Sequence, residues 1–370
     1  MWATQGIVYR PPSLQVAPRH REGDDRDVGT NLLAGLAAFL AVGVLYQTLA
    51  MRRQNRRFAA PGRLVDVGGH RLHATCVGEG RPVVLLESGI AASSLSWSVV
   101  QPEVAKFTRV CAYDRAGFAW SDAPSCPRTF DRIVEELAAL LDQVASGERH
   151  VLVGHSFGSF VVRAYAAQHP ERVAGLVFID PAVEWFTETP QRARLLRGGR
   201  QLSRVGAVLA RLGVVRACLM LLTGGAPGAP RQFVKIFGPT AAQTLERLVG
   251  EVRKLPPSVH PIVQAHWSQP KCFWAMADHL GVLERRAASM ISARPPRDIP
   301  VIVISSGNQP ADHLAAQRAL AEASKNGRLI VAARSTHWVQ FDEPELVVSC
   351  VRELVESERA GEPASMAGSG

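Results

Sequence analysis

The chain has 370 residues, of which 47% are hydrophobic and 20% are charged. This composition supports one large folded core with extra segments at the ends, and it excludes a disordered protein or a small disulfide scaffold. The formal net charge is +9, but the basic residues are not interleaved with aromatic ones, so no nucleic-acid partner is predicted.

The cysteines favour a reducing compartment. All six are scattered, with no CxxC pair and no Cys/His cluster at zinc spacing. They are expected to behave as small apolar residues, although one disulfide remains compatible with the sequence. Because neither a metal cluster nor a glycine-rich phosphate loop is visible, we predict no metal and no cofactor.

The N-terminal region predicts a tail followed by a membrane anchor. Residues 1–27 are polar and non-periodic, which is typical of a disordered tail. Residues 32–51 then carry no charge, a length that just spans a bilayer as a helix. A signal peptide would begin nearer Met1, and a buried core helix would need a packing partner. The sequence therefore favours a single transmembrane anchor over 28–51.

Arginine flanks this segment unequally. Three arginines lie within 17–31 and five within 52–66. The positive-inside rule therefore places the C-terminal domain in the cytoplasm.

From residue 63 onward, strand and helix patterns alternate. Residues 63–67 and 71–77 predict a hairpin turned at Gly68-Gly69. Further strands are predicted at 82–86, 108–113, 150–153, 176–179, 300–304 and 328–331, and helices at 130–144, 159–168 and 314–323. This alternation predicts an α/β fold with a mostly parallel, doubly wound sheet.

The alternation of strand and helix patterns stops between residues 182 and 299, which are helical in tendency and rich in arginine, leucine, glycine and proline. We interpret this stretch as a helical cap inserted into a core formed by 58–181 and 300–357, with a second disordered tail at 358–370. The apolar segment 205–222 with its arginines is either a cap helix over the active site or an amphipathic lid that contacts a membrane.

A Gly-x-Ser-x-Gly sequence at 154–158 carries the strongest functional signal. It follows a predicted strand and precedes a predicted helix, which is the setting of a nucleophile elbow. A serine needs an adjacent base, and His337 follows the last predicted strand. The sequence therefore predicts Ser156 as nucleophile and His337 as general base, while the neighbouring His155 is expected to point elsewhere.

Two aspartates are candidates for the acid that orients His337. Asp180 ends the strand at 176–179, where sites collect in parallel sheets. Asp312 follows the strand at 300–304 and has a second interpretation as a helix N-cap. Asp180 is the preferred acid and Asp312 the alternative.

An oxyanion hole requires two backbone N–H groups. The residue after the nucleophile, Phe157, is expected to supply one. The loop after the strand at 82–86 is expected to supply the other, with Ile90 preferred and Ser88 or Gly89 as alternatives.

The elbow, the sheet pattern and the late histidine together resemble the α/β-hydrolase family, in particular its hydrolase-1 members with a helical cap. The segment 113–122, YDRAGFAWSD, is similar to that family's D-R-x-G-x-G-x-S segment, with Ala119 in place of the second glycine. Two departures are visible: Ser88-Gly89 replaces the family's H-G, and Pro310 occupies the position of its commoner acid. Asp180-Pro181-Ala182 resembles the arrangement in pancreatic lipases, which supports Asp180.

This resemblance implies a membrane-anchored serine esterase or lipase-like hydrolase acting on a small-molecule or lipid ester. Haloalkane dehalogenases and epoxide hydrolases of this fold use an aspartate nucleophile, and Ser156 disfavours both. Acyl transfer and amide or peptide cleavage use the same residues and remain alternatives. A non-catalytic ligand-binding member is a further alternative, disfavoured by the intact serine and histidine. The sequence does not predict an oligomeric state.

Overall fold

The structure is a computed structural model that describes residues 22–183, 189–223, 254–285 and 288–361. The predicted tails at 1–27 and 358–370 lie mostly outside these residues. Where they overlap them, the prediction of disorder is wrong, because 22–27 begin a long helix and 358–361 end the last one.

An eight-stranded sheet forms the centre of the molecule, in the order β1-β2-β4-β3-β5-β6-β7-β8. The strands are β1 Arg63–Asp66, β2 Arg71–Val77, β3 Val83–Glu87, β4 Val110–Tyr113, β5 His150–His155, β6 Val173–Ile179, β7 Val301–Ser306 and β8 Gly327–Ala332. β1 and β2 form the predicted antiparallel hairpin, β2 pairs antiparallel with β4, and every other neighbouring pair is parallel. The α/β class with a mostly parallel sheet is therefore confirmed.

Helices cover both faces of this sheet. The helices of the described residues, numbered in chain order and including those outside the sheet's two faces, are α1 Glu22–Arg57, α2 Val100–Val104, α3 Phe130–Val144, α4 Gly158–Gln168, α5 Pro190–Arg211, α6 Val214–Thr223, α7 His260–Trp267, α8 Pro270–Arg285, α9 Ala288–Ser292, α10 Ala311–Glu322, α11 Val339–Asp342 and α12 Pro344–Gly361. The chain between β6 and β7 contributes α5 to α9, so this insertion forms the helical cap.

The strands direct alternate side chains to two separate apolar clusters. In β3, Val83 and Leu85 face the cluster that contains α3 and α4, whereas Val84 and Leu86 face the cluster that contains α2 and α12. Successive side chains of a strand point to opposite faces, so a continuous apolar run such as this one is buried on both sides. The short apolar runs that predicted the strands are explained by this double burial.

The first helix is longer than the predicted anchor. Between Gly29 and Arg57, α1 is long and apolar enough to cross a membrane, and most of the side chains of 29–42 are exposed. Its C-terminal half instead lies against the cap. A Cβ added to Gly43 would stand 2.6 Å from the backbone oxygen of Leu212, and the Gln47 amide donates to the Ser268 carbonyl at 2.8 Å. The helix and the cap therefore form one packed unit.

One disulfide departs from the expectation of free thiols. Cys76 and Cys111 are directly opposite each other on the antiparallel pair β2 and β4, and they form a disulfide. Their 35-residue separation hides this proximity in the sequence, because the strand order alone makes them neighbours. The other four cysteines are free thiols.

Candidate active site

The Gly-x-Ser-x-Gly segment forms a tight turn between β5 and α4. Ser156 has a φ of +51°, a left-handed conformation that costs a residue with a side chain about 1–2 kcal/mol. Both flanking glycines are required by close contacts. A Cβ on Gly154 would lie 2.8 Å from Ser159, and one on Gly158 would lie 2.6 Å from the Glu87 carbonyl oxygen. The turn therefore has the geometry of a nucleophile elbow, with Ser156 at its tip.

The structure brings Asp180 and His337 together. Asp180 is fully buried after β6, and its Oδ2 lies 2.7 Å from His337 Nδ1. The two residues are 157 positions apart in the chain. Only β7 separates β6 from β8 in the sheet, and the loop that follows β8 brings His337 to the end of β6. A carboxylate at this nitrogen fixes the tautomer in which Nε2 is free to accept a proton.

Asp180 is held by several donors besides His337. The Ser306 amide and hydroxyl donate to it at 3.2 and 3.1 Å, the Gln309 amide at 2.8 Å and the Gln317 amide at 3.1 Å. Burial alone would raise the pKa of Asp180. The hydrogen bond and charge of His337, with the amide donors, outweigh burial and bring the pKa down to about 2. Asp180 is therefore ionised at neutral pH.

The alternative acid, Asp312, lies elsewhere. It is exposed in the first turn of α10, and within the described residues it makes no contact with His337. The N-cap interpretation of Asp312 is also wrong, because α10 begins at Ala311 and the capping position is Pro310.

Ser156 and His337 line the same cavity, which has a volume of about 420 Å³. Their side chains make no direct hydrogen bond to each other. Such bonds are often long in unliganded enzymes and tighten when substrate binds. The other described residues that line the cavity are mainly apolar, namely Gly89, Ile90, Ala91, Ala92, Ser93, Leu95, Ser96, His155, Leu255, Val263, Trp267, Thr336, Trp338 and Phe341.

His155 was expected to point away from the site, and this expectation is wrong. Its Nε2 lies 2.9 Å from the backbone oxygen of His337, and its ring packs 4.7 Å from the His337 ring and 4.9 Å from that of Trp338. Burial, with repulsion from His337, lowers the pKa of His155 to about 3, so the ring is neutral. Since a carbonyl only accepts, Nε2 carries the proton, and His155 fixes the backbone of the His337 loop.

The two backbone amides predicted to form the oxyanion hole lie in the elbow and in the loop after β3. Phe157 follows Ser156 directly, and Ile90 lies in the loop after β3. Neither amide donates to a protein acceptor within the described residues. Gly89 is close to the elbow, because a Cβ added there would lie 2.9 Å from His155 Nδ1 and 3.5 Å from Ser156 Cβ. The loop therefore passes directly beside the nucleophile, where a second donor is needed.

A buried pair of charged side chains, Arg115 and Glu87, holds the loop at 88–90 in place. The Arg115 guanidinium donates to the Glu87 carboxylate, to the Ser88 carbonyl at 2.6 Å and to the Gly89 carbonyl. Burial raises the pKa of Glu87, and the charge of Arg115 opposes that rise. The guanidinium also lies over the Phe157 ring, 5.3 Å from its centroid. One side chain thus contacts both segments that are expected to supply oxyanion donors.

Arg115 belongs to the segment that resembles D-R-x-G-x-G-x-S. Gly117 has a φ of +85°, and a Cβ there would lie 2.6 Å from the Cβ of Ala275 in the cap helix α8. Ala119, which replaces the second glycine, keeps a left-handed φ of +38°. Alanine therefore occupies a left-handed conformation at this position, which glycine adopts more readily.

Sequence reasoning missed four residues around the site. Ser306, Gln309 and Gln317 hold Asp180, and Arg115 holds the loop at 88–90. Of these four, Arg115 alone lies in a recognisable motif, the segment 113–122. Ser306 ends β7, and Gln309 and Gln317 come after it, without a distinctive sequence pattern.

The comparisons with known proteins agree with this fold. A sequence profile of the family described as alpha/beta hydrolase fold matches residues 82–214. The ancestral haloalkane dehalogenase AncHLD2 superposes with a TM-score of 0.59 at 22% identity, over 81% of this chain and 100% of its own. At that identity the likeness concerns the fold.

Two curated relatives are similar over part of the chain. Epoxide hydrolase A of Mycobacterium tuberculosis is 36% identical over 142 residues, which is 37% of this chain and 44% of the relative. The 2-hydroxymuconate semialdehyde hydrolase of Pseudomonas sp. is 35% identical over 125 residues, which is 33% of this chain and 44% of the relative. The chain thus spans less than half the length of these relatives.

Proposed function

Because the chain belongs to the α/β-hydrolase fold family, we propose that it is a serine hydrolase that cleaves an ester of an apolar small molecule or lipid. The observation that carries this proposal is the contact between Asp180 and His337 at 2.7 Å, beside a serine at the tip of a strained elbow. An ionised acid, an oriented imidazole and a serine hydroxyl that lines the cavity are the three parts of this mechanism.

In the proposed reaction, His337 Nε2 takes the proton of the Ser156 hydroxyl as its oxygen attacks the ester carbonyl. The negative charge that develops on the carbonyl oxygen is stabilised by the amides of Phe157 and Ile90. His337 then returns the proton to the leaving alcohol, which leaves an acyl group on Ser156. Water, activated by His337, hydrolyses this acyl-enzyme and restores the serine.

The cavity favours an uncharged, apolar substrate. Among its described lining residues there is no aspartate, glutamate, lysine or arginine, and most of the side chains are aliphatic or aromatic. Its volume of about 420 Å³ lies within the range of small-molecule sites. An unpaired substrate charge would have no compensating partner there, and its burial would be costly.

The nucleophile distinguishes this proposal from two activities named among similar proteins. An epoxide hydrolase and a haloalkane dehalogenase are similar to this chain. Enzymes of those two classes attack with a carboxylate, and this chain has Ser156 at the elbow. We therefore place the chemistry with the serine hydrolases.

A fluorophosphonate probe tests the nucleophile, because it reacts covalently with an activated serine. The wild-type protein is expected to be labelled and to hydrolyse nitrophenyl esters of varied chain length. Ser156→Ala is expected to lose both properties, with kcat falling by about 10⁴ to 10⁶. Ser93→Ala is the matched control, since Ser93 lines the same cavity. Retained labelling in a folded Ser156→Ala variant contradicts the proposal, and faster cleavage of matched amides than esters contradicts the substrate class.

We also propose that α1 anchors the protein in a membrane as a single pass. This is supported by the uncharged stretch and by the exposure of most of 29–42. Full-length protein is expected to sediment with membranes and to resist extraction by alkaline carbonate, but to dissolve in detergent. Recovery in the soluble fraction without detergent contradicts the anchor.

Two features predict opposite sides of the membrane for the catalytic domain. The five-to-three arginine count favours a cytoplasmic domain. The Cys76–Cys111 disulfide is typical of an oxidising compartment. We propose that the domain lies in the cytoplasm, and protease protection of sealed vesicles tests this placement. Digestion of the domain from the cytoplasmic side supports the proposal, and protection there contradicts it.

A further inference from the structure

One of the cavities outside the candidate active site, of about 290 Å³, lies between the first helix and the cap. Its lining includes Arg53 and Arg57, one helical turn apart on α1, and Arg216 on α6. These three arginines are the charged residues of its described lining, and no carboxylate is among them. Three guanidinium groups around one small space repel one another unless an anion lies between them.

Arg216 is the central observation. It is only 5% exposed, and its Nε donates to the side-chain oxygen of Gln47 at 2.8 Å. Its Nη2 is buried and has no hydrogen-bond partner. An unsatisfied charged donor at a buried position is costly, and a bound anion would satisfy this one.

The neighbouring groups suit an oxyanion. Gln54 lines the cavity with a buried side-chain oxygen that lacks a partner, and a half-turn of its amide presents the NH₂ group instead. The Arg57 guanidinium is steadied by the Phe58 ring, 5.2 Å away. A guanidinium group can donate two parallel hydrogen bonds to two oxygens of one phosphate. Phosphate is therefore the oxyanion that best matches the three arginines and Gln54.

The position along α1 indicates where such a phosphate comes from. The uncharged stretch of the helix ends at Met51, and Arg53 follows two residues later, about 3 Å farther along the axis. Because the cap packs against α1 at Gly43 and Gln47, Arg53 and Arg57 lie among the lipid headgroups when the cap itself rests on the membrane surface. The lining also includes Leu219 and Met220, which offer apolar contacts at the same place.

We propose that this cavity binds a phosphate group, held by Arg53, Arg57 and Arg216, and that its position suits the phosphate of an anionic phospholipid. A lipid bound there bridges the anchor helix and the cap. The inference goes beyond the proposed esterase activity and does not depend on the chemistry of Ser156.

The test uses full-length protein carrying Ser156→Ala, so that hydrolysis cannot alter the probe, in micelles of a neutral detergent. Three additives are compared: dioleoyl phosphatidylglycerol, dioleoylglycerol (the same chains without phosphate) and inorganic phosphate. A ligand at about 100 times its Kd is expected to raise the melting temperature by about 5 °C. A rise with phosphatidylglycerol alone identifies a lipid source, and an equal rise with inorganic phosphate identifies a soluble one; both support the phosphate site.

Arginine variants separate a site from general charge attraction. Arg53→Gln/Arg57→Gln is expected to abolish the rise. Arg52→Gln/Arg56→Gln removes the same charge from the same helix at positions outside the lining of this cavity, and it is expected to retain the rise. Arg216→Gln lowers the ligand-free melting temperature by itself, so its response is measured against its own baseline, and no rise is expected. Equal rises with phosphatidylglycerol and dioleoylglycerol, or equal losses in the two double variants, overturn the proposal.

Discussion

Arg115 of the core and His279 of the cap share a hydrogen bond, in which the guanidinium Nε lies 3.2 Å from the imidazole Nε2. His279 Nδ1 lies 2.7 Å from the Ala275 carbonyl oxygen, so Nδ1 carries the proton and Nε2 accepts. Burial, with repulsion from Arg115, lowers the pKa of His279 well below its usual value, which keeps the ring neutral. The cap is therefore connected to the loop at 88–90 through one guanidinium.

Arg115→Lys is expected to lower kcat more than it changes KM. Lysine keeps the positive charge beside Glu87, but it cannot donate at once to the Ser88 and Gly89 carbonyls and to His279. The loop amide is then misplaced, and because loss of one oxyanion donor costs about 10² to 10³ in kcat, a loss of about 10- to 100-fold is expected. Steady-state kinetics with an ester substrate measures it.

The control is Arg128→Lys. Arg128 is equally buried and pairs with Glu136, but it has no hydrogen bond to the loop at 88–90 among the described residues. It is expected to lose stability and to keep kcat within a few-fold. Similar kinetic losses in both variants would mean that Arg115 acts through stability alone.

Asp180→Asn and Asp312→Asn are expected to differ sharply. Asparagine at 180 keeps the shape of the side chain but removes the charge at His337 Nδ1, so the wrong tautomer is favoured and kcat falls by about 10⁴. Asp312 is exposed, and its variant is expected to keep its activity and a stability within about 0.5 kcal/mol. Kinetics and thermal melting of both purified variants decide the matter. A dead but stable Asp312→Asn would reverse the assignment.

Local patterns predicted most of the sheet because the strands β3 to β7 are buried on both faces and so appear as short apolar runs. The elbow was equally visible, since the contacts of Gly154 and Gly158 forbid any side chain at those two positions. The order of strands is not a local property, and no residue in the hairpin or in β4 indicates that Cys76 faces Cys111.

The residues that hold His337 and Asp180 in place could not be predicted from the sequence for the same reason. His155 lies in the elbow itself, but its orientation depends on the His337 carbonyl, which is 182 residues away. Gln309 and Gln317 are ordinary polar residues until β6 and β7 bring Asp180 beside them. Such partners depend on tertiary packing, which periodicity does not describe.

Gly158→Ala is expected to inactivate the protein and to destabilise it. The added methyl would lie 2.6 Å from the Glu87 carbonyl oxygen and 2.7 Å from that of Ser88, so either the elbow or the loop must move. Overpacking of this kind costs about 1–3 kcal/mol. Gly198→Ala is the control, because that helical position in α5 has open space and alanine there is expected to stabilise by up to about 1 kcal/mol. Full activity of Gly158→Ala would contradict the tight elbow.

His150→Leu is expected to make the protein less sensitive to acid. His150 is fully buried at the start of β5, and neither ring nitrogen has a hydrogen-bond partner. Burial, with repulsion from Arg172, lowers its pKa from 6.5 to about 4. Between these values the unfolded chain binds the proton and the folded chain does not, so stability falls as pH drops from about 6.5 towards about 4.

At about pH 5 this linkage amounts to roughly 2 kcal/mol of lost stability in the wild-type protein. Leucine has no proton to bind, so the melting temperature of the variant is expected to fall less between about pH 7.5 and about pH 5. At the higher pH the variant is expected to be at least as stable, because an unsatisfied polar ring has been removed. His169→Leu, at a partly exposed histidine, is the control and is expected to keep the wild-type response. Melting curves of the three proteins in detergent measure this, and an unchanged response in His150→Leu would show that the ring is charged or solvated in the folded state.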